Sequence, residues 1–201
     1  MLSKLYPIIS FKDSVENFSK QYFKEILSTK VSIVQIRAKD IELANLKKLI
    51  IECVQIKNKL NANVKLIVND YVELAKLADG VHLGQDDVCT AKAREALGDK
   101  KIIGLSTHNL EQIKKAPQEI LDYLAIGPVF ESRTKSGHEE LVGLKILSEA
   151  KKLCSIPLVT IGGIDTTNVK DVLATGVDSV AVISDIFLAE DRKAQIQKYF
   201  S

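Results

Sequence analysis

The chain has 201 residues, 46% of them hydrophobic and 27% charged, enough for one domain whose core needs no metal or disulfide staple. Its 28 Lys and Arg against 26 Asp and Glu leave a formal charge of +2, which argues against a non-specific nucleic-acid binder yet allows a local cationic cluster around an anionic small molecule. No apolar run reaches the length of a membrane span, the first residues lack a signal-peptide pattern, and Cys53, Cys89 and Cys154 are too scattered for a disulfide framework or a metal knuckle, so they read as small buried hydrophobes in a reducing, cytoplasmic protein.

Eight short apolar runs punctuate the chain, at 5–9, 32–37, 64–68, 80–84, 101–106, 123–129, 158–162 and 179–184. They are nearly continuous and rich in β-branched residues, as suits strands buried on both faces of a parallel sheet. Helical periods lie between them. Val15, Phe18, Tyr22 and Ile26 recur at spacings of three and four, and Leu46, Leu49, Ile50, Cys53, Ile56 and Leu60 mark the longest stripe. Shorter helices are predicted over 71–78, 90–97, 109–116, 143–154, 167–175 and 191–200. Eight alternating βα units imply a parallel sheet with right-handed crossovers, and so a closed (β/α)8 TIM barrel as one α/β domain over 1–201. An open doubly wound sheet is the alternative, but its glycine fingerprint is missing: the first turn reads Ser10-Phe11-Lys12-Asp13. Pro7 predicts that the first strand begins there.

In such a barrel the polar residues where strands end are the informative ones. Arg37 and Lys39 stand two apart at the end of the second strand, a planar fork and a compact charge suited to phosphate oxygens. Asn69-Asp70 and Gln85-Asp86-Asp87 end the third and fourth. Such residues are ordinary helix N-caps, but carboxylates on neighbouring strands also suit Mg²⁺. Ser106-Thr107-His108 read as caps or phosphate ligands. The hydroxyl-rich, basic loop 131–142 reads as a mobile phosphate-gripping lid. Gly162-Gly163 and Ile183-Ser184, after the seventh and eighth strands, read as a backbone phosphate site. His82, inside the fourth strand, reads as a satisfied core residue. No nucleophile–base pair stands out, so the mouth reads as built to neutralise negative charge.

Seven segments, QIRAK (35–39), VND (68–70), ADGVHLGQDD (78–87), GLSTH (104–108), GPVFESRTK (127–135), TIGGI (160–164) and VIS (182–184), occur in an order and spacing that resemble the thiamine phosphate synthase family over essentially the whole chain. The resemblance implies that Gln35, Arg37, Lys39 and Asn69 bind a pyrimidine diphosphate, that Asp70 and Asp87 hold Mg²⁺, and that Ser106 and Lys135 contact the diphosphate-bearing substrate. Arg37, Ser106 and Lys135 are then the catalytic candidates. Ser132, Thr134, Gly163, Ile183 and Ser184 are implied to bind a thiazole phosphate. The partners expected are these small molecules, with no nucleic acid and no membrane. Three departures stand out: Ser10 where the family often has Asp, Tyr71 in place of an Arg after Asn69-Asp70, and Ser132 with Thr134 in place of two threonines. The related thiazole tautomerase would carry a histidine where Pro128 stands. A non-catalytic sensor of thiazole phosphate or thiamine phosphate is a rival that a product-forming assay separates, and a phosphate-sugar epimerase would need paired acid–base residues, which the sequence does not offer.

Overall fold

The computed structural model describes residues 2–12, 18–131 and 140–201. Eight parallel strands close into a barrel in sequence order: β1 (Leu5–Lys12), β2 (Ile33–Lys39), β3 (Lys65–Asn69), β4 (Gly80–Leu83), β5 (Ile102–Thr107), β6 (Tyr123–Ile126), β7 (Leu158–Ile161) and β8 (Ser179–Val182). The helices are α1 (Lys20–Leu27), α2 (Leu43–Lys59), α3 (Val72–Ala75), α4 (Thr90–Leu97), α5 (Leu110–Lys115), α6 (Gly143–Leu153), α7 (Val169–Ala174), α8 (Ser184–Phe187) and α9 (Arg192–Lys198). None of the described helices is long and apolar enough to cross a membrane.

Strand parity explains the unbroken apolar runs. One set of side chains, including Leu5, Val34, Leu66, Val81, Ile103, Leu124 and Val180, packs outward with the helices; the alternate set, including Ile8, Ile33, Ile67, Ala125, Val159 and Ala181, fills the barrel. Both faces are therefore dry. Caps fix several helix starts: Ser19, Asn109 and Asp191 accept from the backbone N–H three residues on in α1, α5 and α9.

Several boundaries differ from expectation. α1 starts at Lys20 behind its Ser19 cap, so Phe18 precedes it, and Val15 lies outside the described residues. The first strand starts at Leu5, two residues before Pro7. Pro7 pairs with Val182, the last register position of the β1–β8 ladder, so its missing N–H falls where that ladder stops. Ser184 opens α8 instead of ending β8. Cys53 is buried as expected, whereas Cys89 is exposed just before α4.

A repeated clasp ties the amino ends of the strands. Asp79, Asp122 and Asp178 immediately precede β4, β6 and β8. Each donates its N–H to a carbonyl of the preceding odd strand (Leu66, Ile103 and Leu158) at 2.9 Å. Each carboxylate accepts the N–H of that same residue at 2.8 Å. A cation from the helix that precedes the odd strand completes each clasp: Lys57 of α2, Arg94 of α4 and Lys151 of α6.

Candidate active site

At the opposite, carboxyl end of the barrel, β1 to β4 bring the predicted charged residues together. Ser10 and Arg37 are register partners, and an Arg37 Nη donates to Ser10 Oγ at 3.3 Å. A neutral acceptor here leaves the guanidinium charge uncompensated by β1, which favours an anion at the mouth. Lys39 and Asp70, assigned above to different ligands, bind each other, Nζ to Oδ2 at 2.7 Å.

Asp70 and Asp87 are not helix caps. The residues at the starts of α3 and α4 are Tyr71 and Cys89, neither with a side-chain cap bond. Asp70 is held in the left-handed region at φ 66°, a conformation that a non-glycine residue keeps only under tertiary constraint; its N–H donates to the His82 carbonyl at 2.8 Å. Asp87 accepts the Gly84 N–H at 2.6 Å. Burial raises the Asp70 pKa most, the Lys39 hydrogen bond opposes it, and the neighbouring Asp87 raises it further. Two carboxylates pressed together in this way are a donor pair that a cation would relieve. Among the described residues no group of three or more His, Cys, Asp or Glu is placed to hold a metal, so any ion here would take its remaining ligands from water and substrate.

The hydroxyls at the end of β5 do not cap the next helix, since Asn109 does. Thr107 Oγ1 donates to the Ala125 carbonyl at 2.9 Å, and His108 Nδ1 lies 3.0 Å from the Gly127 carbonyl. Ser106 is half-buried at the mouth, its Oγ 2.8 Å from His82 Nε2. Gln35 is 2% exposed inside the barrel, where its Nε2 donates to Tyr6 Oη at 3.1 Å. Asn69 is buried in register with His82.

Across the mouth, a cavity of about 720 Å³ lies between the β7–α7 loop and the α8–α9 pair, lined in part by Gly162, Gly163, Ile183 and Ser184. Gly162 and Gly163 have φ of 109° and 61°. A Cβ at Gly163 would lie 2.5 Å from the Glu131 carbonyl oxygen and 2.7 Å from Phe130 Cβ. The glycine is therefore required by the packed chain after β6 as well as by its backbone conformation, a reason not anticipated from sequence. The carboxylates among the described residues lining the cavity are Glu131, Asp165, Asp185, Glu190 and Asp191, and Lys198 is the one cation among them; backbone N–H groups would offset that negative charge for a bound phosphate. Ser132, Thr134 and Lys135, with most of the expected lid at 131–142, lie outside the described residues.

Sequence reasoning passed over Tyr6 and Tyr123. Both are 1% exposed, their hydroxyls 3.0 Å apart, and Tyr123 Oη lies 2.8 Å from His82 Nδ1. The available signal was parity: Tyr6, Gln35, Asn69, His82, Ser106 and Tyr123 are polar residues at inward positions of the strands, alternating with outward apolar ones.

The family model described as thiamine monophosphate synthase matches residues 5–186. A thiamine-phosphate synthase of Caldicellulosiruptor saccharolyticus is 38% identical over 197 residues, 96% of this chain and 88% of that protein. One from Pelotomaculum thermopropionicum is 37% identical over 196 residues, with 96% and 88% covered. The structure of thiamine phosphate pyrophosphorylase from Pyrococcus furiosus superposes with a TM-score of 0.84 at 31% identity, covering 98% of this chain and 93% of that one. 3-Hexulose-6-phosphate synthase shares the fold alone, at 15% identity and a TM-score of 0.64. With a charged mouth on a closed barrel and relatives aligned over nearly its whole length, this chain belongs to the thiamine monophosphate synthase family.

Proposed function

We propose that this chain is a thiamine-phosphate synthase, a transferase of thiamine biosynthesis that joins 4-amino-2-methyl-5-pyrimidinylmethyl diphosphate to a thiazole phosphate and releases pyrophosphate. Family membership supports the reaction class. The observation that carries the assignment to this site is the gathering of Arg37, Lys39, Asp70 and Asp87 at adjoining strand ends, cations and paired carboxylates together, as a diphosphate with a divalent cation requires.

The residue types fit a dissociative substitution. The bond from the pyrimidine methylene to the diphosphate oxygen breaks, and its electron pair leaves with pyrophosphate. The aminopyrimidine stabilises the resulting cation, and the lone pair of the thiazole nitrogen forms the new bond. No enzymic base is needed to activate that nitrogen, so orientation and stabilisation of the leaving charge are the protein's share. Arg37 and Lys39 would hold the diphosphate, with Lys39 exchanging its bond to Asp70 for one to substrate. Asn69 and Gln35 would orient the pyrimidine, Gln35 from the barrel interior. Ser106 would donate to the diphosphate-bearing substrate. The roles of Lys135 on the leaving group and of Ser132 and Thr134 on the thiazole phosphate rest on the family resemblance. Gly163 and the backbone at Ile183-Ser184 would complete that phosphate site. Asp70 and Asp87 would hold Mg²⁺, which when bound supplies Lewis-acid stabilisation of the departing pyrophosphate. Pro128 presents no proton carrier, which disfavours the tautomerase reading.

The test is incubation with both substrates and Mg²⁺, with thiamine phosphate detected as product. Formation that stops in excess chelator is expected. Absence of product, or rapid tautomer exchange of the thiazole phosphate alone, would overturn the assignment.

A further inference from the structure

The barrel interior holds a continuous polar chain among aliphatic neighbours. Gln35 Nε2 donates to Tyr6 Oη at 3.1 Å, Tyr6 Oη lies 3.0 Å from Tyr123 Oη, Tyr123 Oη lies 2.8 Å from His82 Nδ1, and His82 Nε2 lies 2.8 Å from Ser106 Oγ. The packing is specific. The Tyr123 ring stacks on His82 at 5.5 Å and 16° and meets Tyr6 edge-on at 5.8 Å and 78°. It also occupies the space where a Cβ at Gly104 would stand. The chain starts at a 2% exposed amide and ends at a half-buried hydroxyl in the mouth.

Its direction follows from proton counting. A tyrosine hydroxyl has one proton to donate. Tyr6 accepts from the Gln35 amide, so its proton goes to Tyr123; Tyr123 then donates to His82 Nδ1. A neutral imidazole that accepts at Nδ1 carries its proton on Nε2, and that proton goes to Ser106 Oγ. The ring is buried inside the barrel between Tyr123 and Ser106, and burial favours the neutral imidazole. With its oxygen occupied by His82, the Ser106 hydroxyl has its own proton free for an acceptor in the mouth.

We infer that Gln35, Tyr6, Tyr123 and His82 form a one-way hydrogen-bond chain that fixes His82 as the Nε2–H tautomer and so sets the Ser106 hydroxyl as a donor toward the bound substrate. His82 and Tyr123 are positioning residues that act through Ser106. The kinetic consequence rests on the synthase reading above, whereas the tautomer is a property of the ligand-free protein.

Two measurements test it. Long-range ¹H–¹⁵N NMR of the ligand-free, ¹⁵N-labelled protein at neutral pH, assigned with His108→Gln and His138→Gln, should show a proton on Nε2 and none on Nδ1 of His82. Tyr6→Phe removes the donor that commits the Tyr123 proton to His82, so that preference should weaken. Tyr123→Phe keeps the ring and removes the donor, so the preference should collapse. In steady-state kinetics Tyr123→Phe should lower kcat about tenfold, the rate equivalent of one hydrogen bond, with KM nearly unchanged. Adding it to Ser106→Ala should cost nothing further. A His82 Nδ1–H tautomer in the wild-type protein would overturn the direction of the chain, and multiplicative losses in the double variant would overturn its action through Ser106. Correct tautomers in a protein that forms no thiamine phosphate would leave the chain standing and remove the synthase reading.

Discussion

The two ends of the barrel use the same residue types differently. At the amino ends, Asp79, Asp122 and Asp178 each bind a backbone N–H of the neighbouring strand and a cation from the helix that precedes that strand. At the carboxyl ends, Asp70 has Asp87 beside it although it also binds Lys39, Asp70 sits at a positive φ, and Arg37 has a serine opposite it on β1. A carboxylate that meets backbone and cation together is satisfied by the fold itself. One that also has another carboxylate beside it keeps a repulsion that a bound cation would relieve. The difference separates groups that hold the barrel together from groups kept ready for ligand.

The largest effect should come from the ligand end. Asp87→Asn is expected to lower kcat by about 10²–10³, the scale of losing a preorganised charge at a leaving group, while thermal unfolding stays near wild type. Full activity in that variant would remove Asp87 from the proposed metal pair.

The buried chain between the two ends should show itself in acid. Unfolded His82 titrates near 6.5 and the folded ring near 4. Between those values the unfolded state binds more protons, so stability present above 6.5 is lost as pH falls through the window, by about 3 kcal/mol. Urea unfolding of wild type and His82→Asn across that range measures it, and parallel curves would show that His82 contributes no such loss.

At the amino end the signature should invert. Asp122→Ala removes the acceptor of both the Ile103 N–H and Arg94 and should cost about 2 kcal/mol of stability, read by urea or thermal unfolding, with KM for both substrates unchanged below the melting temperature. A shift in KM would mean that the two ends are coupled.

The smallest expected effect is on stability at Asp70. Asp70→Asn removes a carboxylate that burial and Asp87 both disfavour, at the loss of the Lys39 pair. Its melting temperature should match or slightly exceed that of wild type, within about 0.5 kcal/mol, although its activity falls. Clear destabilisation would place Asp70 with the structural clasps.

Sequence alone determined the strand count, the alternation and the closed parallel barrel, because side chains buried on both faces leave apolar runs that any reader of the chain can count. It also located the charged mouth, since a strand end is fixed once its apolar run is known: Arg37, Asp70, Asp87 and Ser106 all lie where expected. Contacts between strands far apart in the chain were beyond its reach. Only the closed barrel brings Tyr6 to Tyr123, 117 residues away, and His82 to Ser106, 24 residues away, and only the packed chain after β6 explains why Gly163 tolerates no side chain. Spacing leaves Asp70 and Asp87 open between helix caps and a carboxylate pair, and the fold shows that neither caps a helix. Periodicity reports which face of a strand is dry, whereas a hydrogen bond depends on which atoms meet across the barrel, and register and shear decide that.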